Sequence, residues 1–189
     1  MASVFGINES LYRIYPFSNE QLSLFTDKLT FSGLKKKDLL LKENQVSDRI
    51  TFILSGSFRF FRKLNDRELT IKFFVENNWI ADLESLLTQR PSKNFIEAIE
   101  DSEIASISLR DIHTLMDMHP CFRMLNALLS ELTISTSYIA TISSKSPDER
   151  YQELLLEHPQ WINRFPQMLI ASYLGMTPET LSRVRTRVK

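Results

Sequence analysis

Between residues 39 and 108 the apolar side chains arrive in six short runs, at 39–41, 50–54, 58–61, 69–75, 95–99 and 103–108, and this pattern limits the chain to few folds. Runs so short, rich in isoleucine and phenylalanine, read as strands. Their regular spacing fits a barrel or sandwich better than a parallel sheet. Ser55-Gly56-Ser57, between the second and third runs, reads as a hairpin turn. The sequence has only four glycines, so Gly56 and Gly175 are each expected where the backbone needs one. The phenylalanines between Phe58 and Phe74 alternate as strand residues do and read as core rather than as an aromatic ligand box. The stretch 79–94 interrupts the strands. Leu83, Leu86 and Leu87 there fit one short helix, which with its loop can form a wall of a ligand pocket.

The flanks are helical in texture. Residues 1–34 read as helix, with Leu22, Phe25 and Leu29 on one face and Gly33 closing the segment. Residues 109–119 make a short helix, and Pro120 opens a run to about 144 without internal proline or glycine, expected as one long helix. Cys121, Leu125, Leu128, Leu132, Ser135, Ile139 and Ile142 recur at spacings of four and three, the register of a coiled-coil seam. Such a seam can pack on the chain's own strands or on a second copy; the second copy is the expectation, because the register holds over three heptads.

After a linker, Ser143-Ser-Lys-Ser-Pro, a helix over 148–158 carries Tyr151, Leu154 and Leu155 inward and leads through Trp161 and Phe165 to a helix-turn-helix. Leu169, Ile170 and Leu174 give its first helix an apolar face, and Gly175 ends it. Thr177 is a good N-cap, Pro178 a natural first helical residue, and Leu181, Val184 and Val188 anchor the second helix. Thr177, Glu179, Thr180, Ser182, Arg183 and Arg187 then fall where side chains reach base edges and phosphates in a major groove. The alternative for this stretch is a helical hairpin whose arginines are merely solvated. Formal net charge is zero, yet from Pro159 onward Arg164, Arg183, Arg185, Arg187 and Lys189 stand against Glu179 alone, a net +4 that leaves −4 for the rest. A basic module on an acidic body is the footprint expected if only the tail approaches phosphates.

In this order of parts, the chain resembles the Crp/Fnr family of bacterial transcription regulators. Phe52-Ile-Leu-Ser-Gly-Ser-Phe-Arg-Phe-Phe61 carries the likeness in the strand region and Ile170-Ala-Ser-Tyr-Leu-Gly-Met-Thr-Pro-Glu-Thr-Leu-Ser-Arg183 in the reader. The resemblance implies an α+β chain. A cyclic-nucleotide-binding-like β-roll, a double-stranded jelly roll, occupies 1–119, a dimerisation helix and linker 120–145, and a winged-helix-like helix-turn-helix 146–189. It implies that Glu179 and Arg183 read bases and Thr180 a phosphate. Pro178 stands where relatives commonly have arginine, which alters the sequence read. Family members that bind cyclic nucleotides use a Gly-Glu pair for the ribose and an arginine followed by a small hydroxyl residue for the phosphate. The corresponding effector-pocket positions here are Ala81-Asp82 and Ser92-Lys93, so the guanidinium fork is missing and Lys93 offers only a point charge. Cyclic nucleotide is therefore not expected; another small effector, or a degenerate pocket, is. Most relatives continue past the recognition helix, whereas this sequence stops at Lys189.

Other chemistry finds little support. Cys121 is the single cysteine, which excludes intramolecular disulfides and cysteine-ligated clusters. His113 and His119 are six residues apart and do not share a helix face, so with His158 they make no metal site. No nucleophile triad, Gly-rich phosphate loop or paired carboxylates appear, and neither an enzyme nor a cofactor is expected. The chain lacks an apolar run near the ~20 residues of a membrane span and a basic-then-apolar start, so a cytoplasmic protein is expected. The whole reads as a homodimer, with Leu125, Leu128, Leu132, Ile139 and Ile142 at its seam. Its partners would be double-stranded DNA read as an inverted repeat, RNA polymerase and a small effector, with no membrane. The alternative is a ligand- or protein-binding signalling module that does not bind DNA.

Overall fold

All six apolar runs fold as strands in the computed structural model, which describes residues 2–65, 67–132 and 144–188. In chain order they are β1 (Thr30–Leu34), β2 (Leu39–Leu41), β3 (Arg49–Ser55), β4 (Phe58–Leu64), β5 (Arg67–Phe74), β6 (Trp79–Ile80), β7 (Phe95–Ala98) and β8 (Ser102–Ser108). They form two four-stranded sheets, ordered β1-β8-β3-β6 and β2-β7-β4-β5. In the first sheet Thr51 lies opposite Ser106 and Phe52 opposite Ala105. Because strand side chains alternate, Ile50 and Phe52 share one face and Thr51 and Ile53 the other.

Two expectations fail here. Thr30–Leu34 is strand β1, paired antiparallel with β8, rather than the closing turn of a helix. Helix α2 (Asn19–Thr26) stops before it, and β8 then supplies the backbone partners. Ser55-Gly56-Ser57 is not a hairpin turn either, since β3 and β4 belong to different sheets. It carries the chain from one sheet to the other, with Gly56 at φ +91 and so close to β8 that a Cβ would meet Ser102 Oγ at 2.1 Å. Only glycine fits there.

The chain divides into two compact units: Met1–Arg59 with Phe73–Thr133, and Phe60–Lys72 with Ile134–Lys189. In the first, helices α1 (Ala2–Ile14), α2, α4 (Leu109–Met118), a 3-10 helix (Pro120–Ala127) and α5 (Leu128–Leu132) bury one face of the β1-β8-β3-β6 sheet. Phe25 and Phe52 pack edge-on against Trp79, whose indole N–H donates to Ser10 Oγ at 2.7 Å. Helix α3 (Leu83–Thr88) interrupts the strands as expected, but Leu87 points to solvent while Leu86 is buried.

The long helix opening at Pro120 is 3-10 as far as Ala127. Leu125, Leu128 and Leu132, expected at a seam with a second copy, are 2%, 0% and 0% exposed within the chain's own core. A residue already covered in one chain has no surface left to offer another, so this half of the seam is corrected to core. Ser135, Ile139 and Ile142 lie outside the described residues.

The second unit contains α6 (Pro147–Glu157), α7 (Trp161–Arg164), α8 (Gln167–Tyr173) and α9 (Pro178–Arg187). Ser146, read as linker, makes a full capping box with Glu149, and Pro147 takes the first helical turn. Tyr151, Leu154, Trp161, Phe165, Ile170, Leu174, Leu181 and Val184 are buried. Trp161 centres this small core, stacked on His158 at 3.9 Å and edge-on to Phe165 and Tyr173.

Candidate nucleic-acid interface and effector pocket

Local capping chemistry builds α9. Thr177 Oγ1 accepts from the Thr180 amide at 3.3 Å, and Pro178 needs no amide partner at the first helical position. Gly175, at φ 62, closes α8 in the left-handed conformation as expected. Arg150 of α6 donates to the Leu174 carbonyl at the end of α8 and so ties that turn down. With Leu181 and Val184 buried, Glu179, Ser182, Arg183 and Arg187 stand on the exposed face of α9, and Thr180 is half-buried. Glu179 is held below the usual carboxylate range by backbone and Thr177 hydrogen bonds at the helix start, and by Arg183. Arg187 is engaged, its Nη2 at 2.8 and 3.1 Å from the Asp148 carboxylate.

A contact the sequence reading missed lies within this unit. Ser172 Oγ of α8 donates to the Glu68 carbonyl at 2.7 Å and accepts from the Thr70 amide at 2.9 Å. Residues 68 and 70 have the same parity on β5, the outer strand of its sheet, so one hydroxyl satisfies two edge groups. A serine hydroxyl on a helix surface carries no sequence signal for such a role.

The expected effector residues do not converge on an open site. Asp82 caps α3 and is 3% exposed. Its carboxylate accepts from the Ser85 amide at 3.2 Å, Ser92 Oγ at 2.6 Å and Asn94 Nδ2 at 2.7 Å. Ser92 is therefore bound to Asp82 rather than presented to a ligand, and Lys93 is exposed. Ala81 alone of the four lines a half-open cavity of about 600 Å3 in the first unit, whose wall is otherwise drawn from β1, β2, β3, β6, β7, β8 and residues 45–48. Phe58, Phe60, Phe61, Phe73 and Phe74 are all buried. Buried Arg59 of β4 is a guanidinium that sequence reasoning overlooked, and it pairs with Glu97 of β7 at 2.9 Å. Among the described residues there is no cluster of histidine, cysteine, aspartate or glutamate fit for a metal, and no helix long and apolar enough to cross a membrane.

Residues 33–119 match the cyclic nucleotide-binding domain family. Among solved structures, FixK2 from Bradyrhizobium japonicum is similar at 20% identity and TM-score 0.70, over 85% of this chain and 84% of that one. The c-di-GMP-responsive global regulator CLP of Xanthomonas campestris gives 14% identity and TM-score 0.71, over 90% and 91%. A protein from Eubacterium rectale described as of the crp/fnr family gives 20% and 0.65, over 93% and 87%. The chain has the Crp/Fnr fold. No curated protein sequence matches it. The domain match ends at residue 119, so α9 lies outside it.

Proposed function

We propose that this chain is a Crp/Fnr-type transcription regulator that binds double-stranded DNA through α9, acts in the cytoplasm as a homodimer, and answers to a small effector other than cyclic AMP. The observation that carries the reading is the division of α9: Leu181 and Val184 at 1% and 0% exposure fix its inner face, while Glu179, Ser182 and Arg183 are turned outward. Charge supports it, since the segment from Pro159 onward is net +4 in a chain of zero net charge. Glu179 and Arg183 would read base edges, Thr180 would meet a phosphate, and two copies would read half-sites about 34 Å apart in an inverted repeat. The sealed Asp82–Ser92 corner supports an effector without a phosphate. A regulator of this type also contacts RNA polymerase. The alternative signalling module makes the opposite prediction about DNA. Operator selection with the purified chain, followed by anisotropy titrations between 50 and 200 mM salt, tests the reading: affinity should fall steeply, by about tenfold or more, as phosphate contacts are screened. Absence of any salt-sensitive complex would favour the module that does not bind DNA.

A further inference from the structure

The first unit is hollow on one side. Thr51 of β3 and Ser106 of β8 share the inner face of their sheet, 1% and 6% exposed, with their hydroxyls 2.8 Å apart. Leu41 of β2, Ile96 of β7 and Ile104 of β8 line the same half-open cavity, together with the polar side chains of Ser32, Gln45 and Ser47, and its volume of about 600 Å3 is within the usual range for small-molecule sites. A pair of hydroxyls shares one hydrogen bond, so one O–H remains to donate to a third group. Because both side chains are buried, that donor costs free energy unless something polar meets it. Asp48 and Arg49 are the charged residues of the wall, and they pair with each other at 2.9 and 3.1 Å, so the wall carries no net charge.

We infer that this cavity binds an uncharged amphipathic small molecule, its apolar body against Leu41, Ile96 and Ile104 and its carbonyl or hydroxyl on the Thr51–Ser106 pair. The site is separate from the sealed Asp82–Ser92 corner. With Asp48 and Arg49 paired, the wall has no net charge to attract an anion, and a neutral molecule leaves the pair intact. The inference deepens the reading that the sensor takes an effector, and it rests on that reading only for its regulatory meaning, because binding is measured without DNA.

The test titrates the full chain with N-phenyl-1-naphthylamine, a neutral fluorescent probe. Saturable binding is expected, reversed by 1-decanol but not by decanoate or cyclic AMP. Ile104→Trp, which fills the cavity, should abolish probe binding while the circular dichroism melt stays cooperative. If that variant does not fold, Thr51→Val with Ser106→Ala decides: it removes both hydroxyls at nearly constant volume and should weaken displacement by decanol about tenfold, the scale of one lost hydrogen bond. Absence of saturable binding, equal displacement by decanoate or cyclic AMP, undiminished binding to a folded Ile104→Trp, or unchanged decanol displacement in the double variant would each overturn the inference. A chain that behaves as expected toward the probe yet binds no DNA supports the cavity and overturns only the DNA reading.

Discussion

Arg183 and Arg187 stand one helical turn apart on α9, yet their surroundings give them different work. Arg187 already holds Asp148, whereas Arg183 donates to the Glu179 carbonyl at a long 3.4 Å. Arg183→Ala should therefore remove about 1–3 kcal/mol of discrimination at one base position and leave the melting temperature in place. Competition with single-base variants of the selected site checks it; an unchanged preference would mean that α9 is placed in the wrong register on DNA. His158 makes a second residue-scale prediction. Burial pushes its pKa below the ordinary histidine value, so the unfolded chain binds the proton more tightly than the folded one. Stability from this group is present above the unfolded value, about 6.5, and is lost as pH falls through the lower folded value. Trp161, stacked on the ring, reports it: its fluorescence melt should weaken below pH about 6.5, and His158→Gln should flatten that dependence. At this scale the sequence was legible wherever the chemistry is local. Thr177, Pro178 and Gly175 cap and turn by acting on neighbours. Asp82 was misread because Ser92 and Asn94, its partners, lie ten and twelve residues away and meet it only after folding.

Elements show the same division between local and distant causes. Strands β3, β4, β5, β7 and β8 were legible because each buries apolar side chains; β1 was not, because four of its five residues are exposed and leave no alternation to read. The 3-10 helix was invisible for another reason: over two turns, spacings of three and four fit a 3-10 helix, an α-helix on the core and a coiled-coil seam alike. Burial settles the difference. Leu128→Ala should destabilise the first unit by about 2–5 kcal/mol, as loss of a buried leucine does, without changing the mass measured by sedimentation at native temperature. Clean conversion of a dimer to folded monomers would restore the seam. Ser172 offers a further test, within the second unit. Ser172→Ala should raise hydrogen exchange at the Thr70 amide and cost about 0.5–1.5 kcal/mol, and Ser172→Thr should keep the protection. Unchanged exchange would mean that the edge of β5 does not depend on this hydroxyl.

For the whole molecule, the decisive observation about ligands is the closed corner around Asp82. A ligand that binds the folded state raises its melting temperature by mass action. Cyclic AMP at micromolar concentration should produce no such rise, because the hydroxyl of Ser92 is spent on Asp82 and Lys93 lies outside. A saturable shift would overturn this and point to Lys93. The Crp/Fnr fold itself was readable from the order of strands, helices and reader, since each part carries its own periodicity. The partition into units was not, because it depends on which segments meet rather than on where the composition changes.

That partition has a consequence for taking the protein apart. The chain passes from one unit to the other three times, after Arg59, after Lys72 and after Thr133, and the first two passages fall inside β4 and β5. No single cut separates the units. A C-terminal fragment beginning at 146 would leave behind the strand to which Ser172 is bonded, and a sensor fragment ending at 133 would keep that strand with its edge uncovered. Fragments of this kind should be poorer mimics of the intact protein than their position in the sequence suggests.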